Sequence, residues 1–427
     1  MLTRPILLLL LSLLIGCSPQ ETSIVNPADY EVYLSRASDE ALNTVNTEIE
    51  FWSKKLDEVP ESETYLLKLA GLYTARFNQT AEIEDVLASD SIYKSIVLRQ
   101  SPSASVYRAL AGNAITQHQF REAREFAQKA LQLGEGKAAT LFLMVDINLE
   151  LGDYAGARLI MKDFTNKNTF PYLIRDAKIK DHDGKLDSAI IRMEHALEKV
   201  QENHSLLVWT LSNLADMYGH AGRINEAYQT YLRVLQLNPD YDYALKGIAW
   251  IAFSHDKNYT EAKRIINYIG TKKNNPDTHL LLAEIAAEEN NLEERKTQLQ
   301  LFKQLATHPS YGGMYNKYLA LLEAEDFANP EMAIAIAEKE INNRPTPQSF
   351  DLLAWGYYNL GDAKKALEII DQKVKDKTFE PEALYHAGII YSENGFTREA
   401  QKMLKEASLS SFELGPAISR KIDGQLE

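Results

Sequence analysis

A single cysteine stands in 427 residues, at position 17. That excludes an intramolecular disulfide and any metal site built from several thiolates. Basic residues are in deficit, with 46 Lys and Arg against 60 Asp and Glu for a formal net charge of −14. A chain with no basic excess has little to offer a phosphate backbone, so no nucleic-acid partner is expected. Long apolar runs are missing too. The run from Ile6 to Ile15 reaches ten residues only by counting Ser12, whereas a membrane-spanning helix needs about 20. Hydrophobic residues at 45% and charged residues at 25% match an ordinary folded chain, which excludes wholesale disorder.

Catalytic patterns are equally scarce. None of the nine histidines forms an HExxH pair, and there is no GxSxG elbow. Gly134-Glu135-Gly136-Lys137 lacks the earlier glycine of a phosphate loop, since Leu131 stands there. Asp181-His182-Asp183-Gly184 fails as a calcium loop because Ile179 and Ile190 fall where the first and last ligands belong. Adjacent carboxylates such as Glu293-Glu294 suit a solvated face better than a general acid and base. We expect no enzyme, no cofactor and no resident metal. A zinc or nickel site shared by His182 and His220 with Asp181 and Asp216 is the weaker alternative to solvated histidines.

What is present begins with an address. Arg4, the short apolar run and a small residue at its end describe a secretory signal peptide over 1–16. Leu14-Ile15-Gly16-Cys17 resembles the lipobox of bacterial lipoproteins. The resemblance implies that the chain is cut before Cys17 and that this thiol is diacylated, with the new amine also open to acylation. Two or three acyl chains anchor stably where one does not. Ser18 in place of Asp, by the same resemblance, favours an outer membrane where the cell has one. Residues 17–38 then read as the lipidated cysteine and a flexible tether, with about 18 Å of reach over 18–28.

The rest of the chain repeats. Gly followed five residues later by Ala occurs at Gly152/Ala157, Gly184/Ala189, Gly222/Ala227, Gly361/Ala366 and Gly395/Ala400. Ala123, Ala262, Arg295 and Ala333 continue the phase at intervals of 32–38 residues. Around each mark lie two helical stripes, such as Leu211, Leu214, Ala215, Tyr218 and then Ala227, Tyr231, Val234, Leu235. The glycine ends the first helix, and the small residue lets the second pack closely. Such a hairpin cannot bury its face alone and must stack on neighbours.

These residues resemble the tetratricopeptide repeat family. Tyr107, Leu110, Ala111 and Ala114, followed by Phe120, Ala123, Ala127 and Ala130, fit its pattern, as do Phe350, Leu353, Ala354 and Tyr357, and Leu384, Gly388 and Tyr391. The resemblance implies an all-α fold, a right-handed α-solenoid superhelix of stacked helical hairpins. About nine repeats would fill 103–408, after an irregular first repeat at 63–102 and a capping helix at 39–62. Residues 409–427, broken at Gly415-Pro416, would cap the other end. Arg295 in place of the small residue and the polar stretch 288–296 point either to a joint near 288–318 or to one degenerate repeat in a continuous superhelix.

In this family the first helices line the concave face. Projecting that geometry places Arg175, Lys178, His182, Trp209, Asp216, His220, Tyr243, Lys246 and Trp250 on it as a partner-binding surface, with Trp355 at the equivalent place later. Trp and Tyr are common interface anchors; the alternative is that these rings are core. The unit holding Trp250 needs a one-residue insertion to keep phase. The expected function is a membrane-anchored interaction scaffold or adaptor in the bacterial cell envelope. It would face the periplasm from the cell membrane or outer membrane and bind an envelope protein or peptide segment. The competing expectation is a lipoprotein that captures a glycan or peptide for a neighbouring transporter.

Overall fold

The computed structural model describes residues 23–35, 40–99, 102–272 and 275–427. The signal-peptide and lipobox residues, Cys17 included, lie outside the described residues. The architecture is all-α, with no strand among the described residues. A helix at Glu40–Glu58 precedes ten antiparallel helical hairpins, which run from Glu63–Thr80 paired with Ile83–Arg99 through Pro381–Glu393 paired with Thr397–Ser408. Together they build an α-solenoid. No helix among the described residues is long and apolar enough to cross a membrane.

Each hairpin turn is made the same way. Gly152, Gly184, Gly222, Gly361 and Gly395 all have φ between +69° and +90°, a region that costs a residue with a Cβ about 1–2 kcal/mol. His118, Lys257, Asn290 and Ala328 stand at the same point of hairpins that lack the glycine, and they too take φ of +48° to +56°. Five residues on, Ala123, Ala157, Ala189, Ala262 and Ala366 are wholly buried, where a larger side chain would hold the two helices apart. Arg295 replaces that alanine in one unit; it stays half-buried and reaches forward to pair with Asp326.

Around residues 288–318 the core is thin. Phe302 is wholly buried and, with Ala306 and Leu319, forms a small cluster between the large central core and the C-terminal core. Lys303 pairs with Glu323 at 2.5 Å across the same connection. The extra residue needed by the unit of Trp250 is absorbed inside its first helix: Asp242–Trp250 runs on as a π-helical turn over Ile251–His255. A π turn fits one more residue into a helix without breaking it.

Two further features shape the molecule. The first concerns residues 23–35, expected as part of a flexible tether. They are instead docked across the second helices of the 204–237 and 242–272 hairpins. Asp256 accepts the backbone N–H groups of Ile24 and Val25 at 3.1 and 2.8 Å and the Ser23 hydroxyl at 2.8 Å. Tyr30, with no exposed surface, donates its hydroxyl to Glu261 at 2.5 Å. The Tyr228 hydroxyl donates to Asp29 and the Tyr268 hydroxyl to the Tyr33 carbonyl, at 3.0 and 2.9 Å. The polar composition suggested a tether, but Val25 and Tyr30 supply enough apolar surface to join the central core and offset the loss of chain entropy.

The second feature is that the solenoid coils back on itself. Arg121 donates to the Asn342 carbonyl at 2.5 Å, Asn343 donates to the His118 carbonyl at 2.5 Å, and Arg344 pairs with Glu150 at 3.0 Å. Gly184 faces the Phe379 ring, and Gly219 faces Phe412. In a simple solenoid each repeat touches only its neighbours. Here the later hairpins lie along the turns of the earlier ones, in the same order, and close the concave side.

Candidate functional site

The closed concave side leaves a cavity of about 500 Å³. One wall comes from the first helices His204–His220 and Asp242–Trp250, which contribute Asp216, His220, Tyr243, Lys246 and Trp250. The opposite wall comes from Asn316–Glu325, Pro381–Glu393 and the C-terminal helix Ser411–Leu426. The Pro276–Glu288 helix adds Asp277 and Glu284.

Five of the nine residues projected onto the concave face are therefore gathered in one cavity. Asp216 accepts from the Tyr243 hydroxyl at 2.7 Å and from that of Tyr231, and Lys246 pairs with Asp277 at 3.0 Å. Burial pushes Asp216 above the usual carboxylate range despite those two donors. His220 lies 3.8 Å from Glu413 on the C-terminal helix.

Trp250 is placed there for another purpose. Its indole N–H donates to the Phe412 carbonyl at 3.0 Å, and its ring lies 3.4 Å from where a Cβ on Gly415 would stand. The C-terminal helix thus covers it. Gly415 takes φ +77° and ψ 171°, a break that turns the chain ahead of Pro416. The same helix is held by Arg420, which grips Glu288 with two bonds of 2.7 Å.

The other four stand apart. Arg175 is engaged between hairpins, donating to Asp146 at 2.6 Å and to the Phe142 carbonyl at 2.8 Å. Lys178 is half-exposed beside Asp146 and Glu150, at 3.9 and 3.8 Å. His182 stacks on Tyr154 with ring centroids 3.7 Å apart, and burial holds its pKa below the ordinary value. Trp209 is 39% exposed and meets Phe170 edge to face. Trp355, read as an equivalent groove residue, is core. It is 4% exposed, stacked between Tyr358 and His386, and bonded to Glu325. Its place on the first helix is right, but the neighbouring hairpins close over it.

Sequence reasoning missed Glu284, Lys317, Glu380, Glu382 and Glu413, which bring most of the cavity's charge. Lys317 pairs with Glu382 at 2.8 Å. The cavity walls crowd Glu284, itself open to solvent, and with the charges of Glu382 and Glu288 raise its pKa to about 7. Nothing local marks these residues, since each is an ordinary charge on a polar helix face until the second turn of the solenoid meets the first. Among the described residues no three His, Cys, Asp or Glu side chains converge to hold a metal ion.

Residues 210–241 match the sequence model of the tetratricopeptide repeat. The match begins within the helix carrying Asp216 and His220 and takes in Ile224–Leu237. No curated protein matches the chain. Among solved structures it is similar to a tetratricopeptide repeat protein from Parabacteroides merdae, at 16% identity over 60% of this chain and 97% of that one, with a TM-score of 0.36. It is also similar to pilF of Pseudomonas aeruginosa, at 14% identity over 49% and 94% and a TM-score of 0.36. Yeast Tom70 is similar at 12% identity over 86% and 96%, with a TM-score of 0.35. A tetratricopeptide repeat matched at 210–241, within an all-α solenoid of helical hairpins, is what the sequence model and the fold show.

Proposed function

We propose that this chain is a non-catalytic interaction scaffold of the bacterial cell envelope, anchored in a membrane through acyl chains on Cys17 and facing the periplasm. One observation carries the site: Asp216, His220, Tyr243 and Lys246, from two successive first helices, face one partly open cavity. Tyr243, 50% exposed on the cavity wall, and Trp209, 39% exposed on the helix that carries Asp216, remain as contact surface. Arg175 is already engaged within the molecule and leaves the proposed contact set, while Trp250, its N–H bonded to the Phe412 carbonyl, keeps its ring on the cavity wall. The docked arm supports a short anchor. From Cys17 to Ser23 is six residues, which at full extension span about 20 Å, so the body would be held close to the bilayer.

The test has two parts. Labelling with an alkyne palmitate in an expressing bacterium, with Cys17→Ser as the comparison, should give a lipid signal and a membrane fraction that the variant loses. An unlabelled wild type would sink the anchor. Crosslinking in cells, with Trp209→Ala/Tyr243→Ala as the comparison and intact helix checked by circular dichroism, should give a partner captured by wild type and lost from the folded variant. A partner retained by both moves the site away from the cavity mouth.

A second reading has its own support. A walled cavity of about 500 Å³ lies within the roughly 300–1,000 Å³ of small-ligand sites. That favours capture of a short peptide or glycan for a transporter more than a flat adaptor groove would. Capture of a transport substrate without any protein partner would make this the leading reading.

A further inference from the structure

The cavity holds more negative charge than the protein balances. Lys246 and Lys317 are spent on Asp277 and Glu382. Asp216 accepts from the neutral hydroxyls of Tyr231 and Tyr243 and feels His220 and Lys246 only at longer range. Glu413 has His220 at 3.8 Å, and the carboxylate of Glu284 makes no hydrogen bond or ion pair with any described residue. Packed walls and like charges make this costly: burial lifts Asp216 and Glu413 above the usual carboxylate range, and the walls and neighbouring carboxylates around Glu284, itself open to solvent in the cavity, raise its pKa as well. Such shifts mark carboxylates short of a counter-cation.

The surroundings narrow what that cation can be. Among the described residues no three carboxylates converge on one point, which does not suit a divalent ion that needs six or more oxygens at 2.0–2.6 Å. Glu284 Oε2 and the Trp250 ring both lie close to Gly415, 3.8 and 3.4 Å from where a Cβ on it would stand, so carboxylate and ring are neighbours on the cavity wall. A carboxylate beside an indole suits an organic cation: the head pairs with the carboxylate, the ring attracts positive charge, and an aliphatic stem lies on apolar surface. Leu281, Leu414 and Ile418 supply that surface.

We propose that the cavity binds an ammonium or guanidinium group on an aliphatic stem, presented as a lysine or arginine side chain of a partner segment, with its head among Glu284, Glu413 and Asp216 and its stem along Trp250 and Tyr243. The inference rests on the scaffold reading for the source of the cation but not for its chemistry. An anionic or neutral partner segment would leave the carboxylates without a counter-charge.

The experiment is calorimetry on the full-length protein in mild detergent with three probes. They are acetyl-Gly-Lys-Gly-amide, the same peptide with norleucine for lysine, and 1,5-diaminopentane. The lysine peptide should bind about tenfold or more tighter than its neutral isostere. Binding near pH 7 should release protons, read from two buffers of different ionisation enthalpy, because a cation beside Glu284 draws its pKa down. Glu284→Gln should keep the thermal unfolding profile and lose most of the affinity and the proton release, and Glu413→Gln should weaken binding by a smaller factor. Equal binding of the lysine and norleucine peptides, no binding of any cation, or an unaffected Glu284→Gln would overturn the proposal. Binding of the diamine alone would overturn its assignment to a partner side chain. Because these probes act on purified protein, their failure is separable from a failure to capture a partner in cells.

Discussion

Trp250 and Phe412, 162 residues apart, are joined by an indole N–H that donates to a backbone carbonyl at 3.0 Å. The Ser254 hydroxyl donates to the same oxygen at 2.7 Å. These two hydrogen bonds to one carbonyl fix the C-terminal helix across the middle of the solenoid and turn an open groove into a cavity. Closure is therefore a property of the last seventeen residues as much as of the repeats.

Phe412→Ala tests that closure. The Phe412 ring packs on Gly219, and the change would remove it while keeping the carbonyl. A cost of about 2–4 kcal/mol is expected, felt mainly as release of the C-terminal helix. Hydrogen exchange over 411–426 should rise by orders of magnitude while the hairpins at 104–133 and 137–162 keep their protection. Uniform loss across all hairpins would mean that the helix is part of one global folding unit.

The turn positions give a prediction of opposite sign. Ala328 is exposed and holds φ +48°, so Ala328→Gly relieves backbone strain at little loss of packing. A gain of about 0.5–1 kcal/mol is expected, the left-handed penalty less the entropy that glycine adds to the unfolded chain. Gly361 is at φ +90° with open space around it, so Gly361→Ala should cost about 1–2 kcal/mol through the backbone alone. Denaturant unfolding monitored by circular dichroism checks both.

The repeat was legible because its causes are local. A residue with positive φ and a buried Ala five positions later are demanded by one hairpin at a time, so Gly184 and Ala189 announce themselves in sequence. Even the misfit at Trp250 was legible as a phase slip, and it is absorbed by a π turn at Ile251–His255. The cavity was half legible. Asp216, His220, Tyr243 and Lys246 follow from the face they occupy on two consecutive helices. Glu284, Lys317 and Glu413 do not, because their nearness depends on how far the solenoid coils, which sums small rotations over many hairpins. The docked arm was hidden for a related reason. Asp256 caps the backbone N–H groups of residues 24 and 25, more than 230 positions away, and backbone donors carry no sequence signature.

Acid should release that arm. Burial opposes ionisation of Asp256, yet His255, the N–H groups of Val25 and Ile24 and the Ser23 hydroxyl outweigh it and hold the carboxyl below its ordinary range. Glu261 is likewise lowered, with Arg264 and Tyr30 overcoming burial. A carboxylate depressed in the docked state contributes stability above its free pKa, about 3.9 for Asp and 4.3 for Glu. It loses that contribution as pH falls through the lowered value. Docking should therefore be constant from about pH 5 upward and fail below about pH 4. Exchange rates of the 23–35 amides, corrected for the intrinsic effect of pH, should show it. Asp256→Asn should raise those rates at neutral pH and flatten the acid limb. An arm that stays protected at pH 3 would show that Val25 and Tyr30 hold it without the charges.

Gly247 separates helix propensity from packing. It sits inside the helix Asp242–Trp250, where glycine usually costs about 0.5–1 kcal/mol relative to alanine. A Cβ added there would come within 2.3 Å of the Tyr231 ring, which is 4% exposed and donates its hydroxyl to Asp216 in the cavity wall. The ring cannot retreat without giving up both its burial and that bond. Gly247→Ala should therefore destabilise by about 1–3 kcal/mol, whereas Gly71→Ala, in the exposed middle of Glu63–Thr80 with nothing within 4 Å, should stabilise by up to about 1 kcal/mol. If Gly247→Ala proves neutral, the ring has room to shift, and Asp216 should then lose a donor. In that case the lysine-peptide affinity would change while the melting temperature did not. Measuring both quantities on this one variant distinguishes a wall that is rigid from one that yields to its ligand.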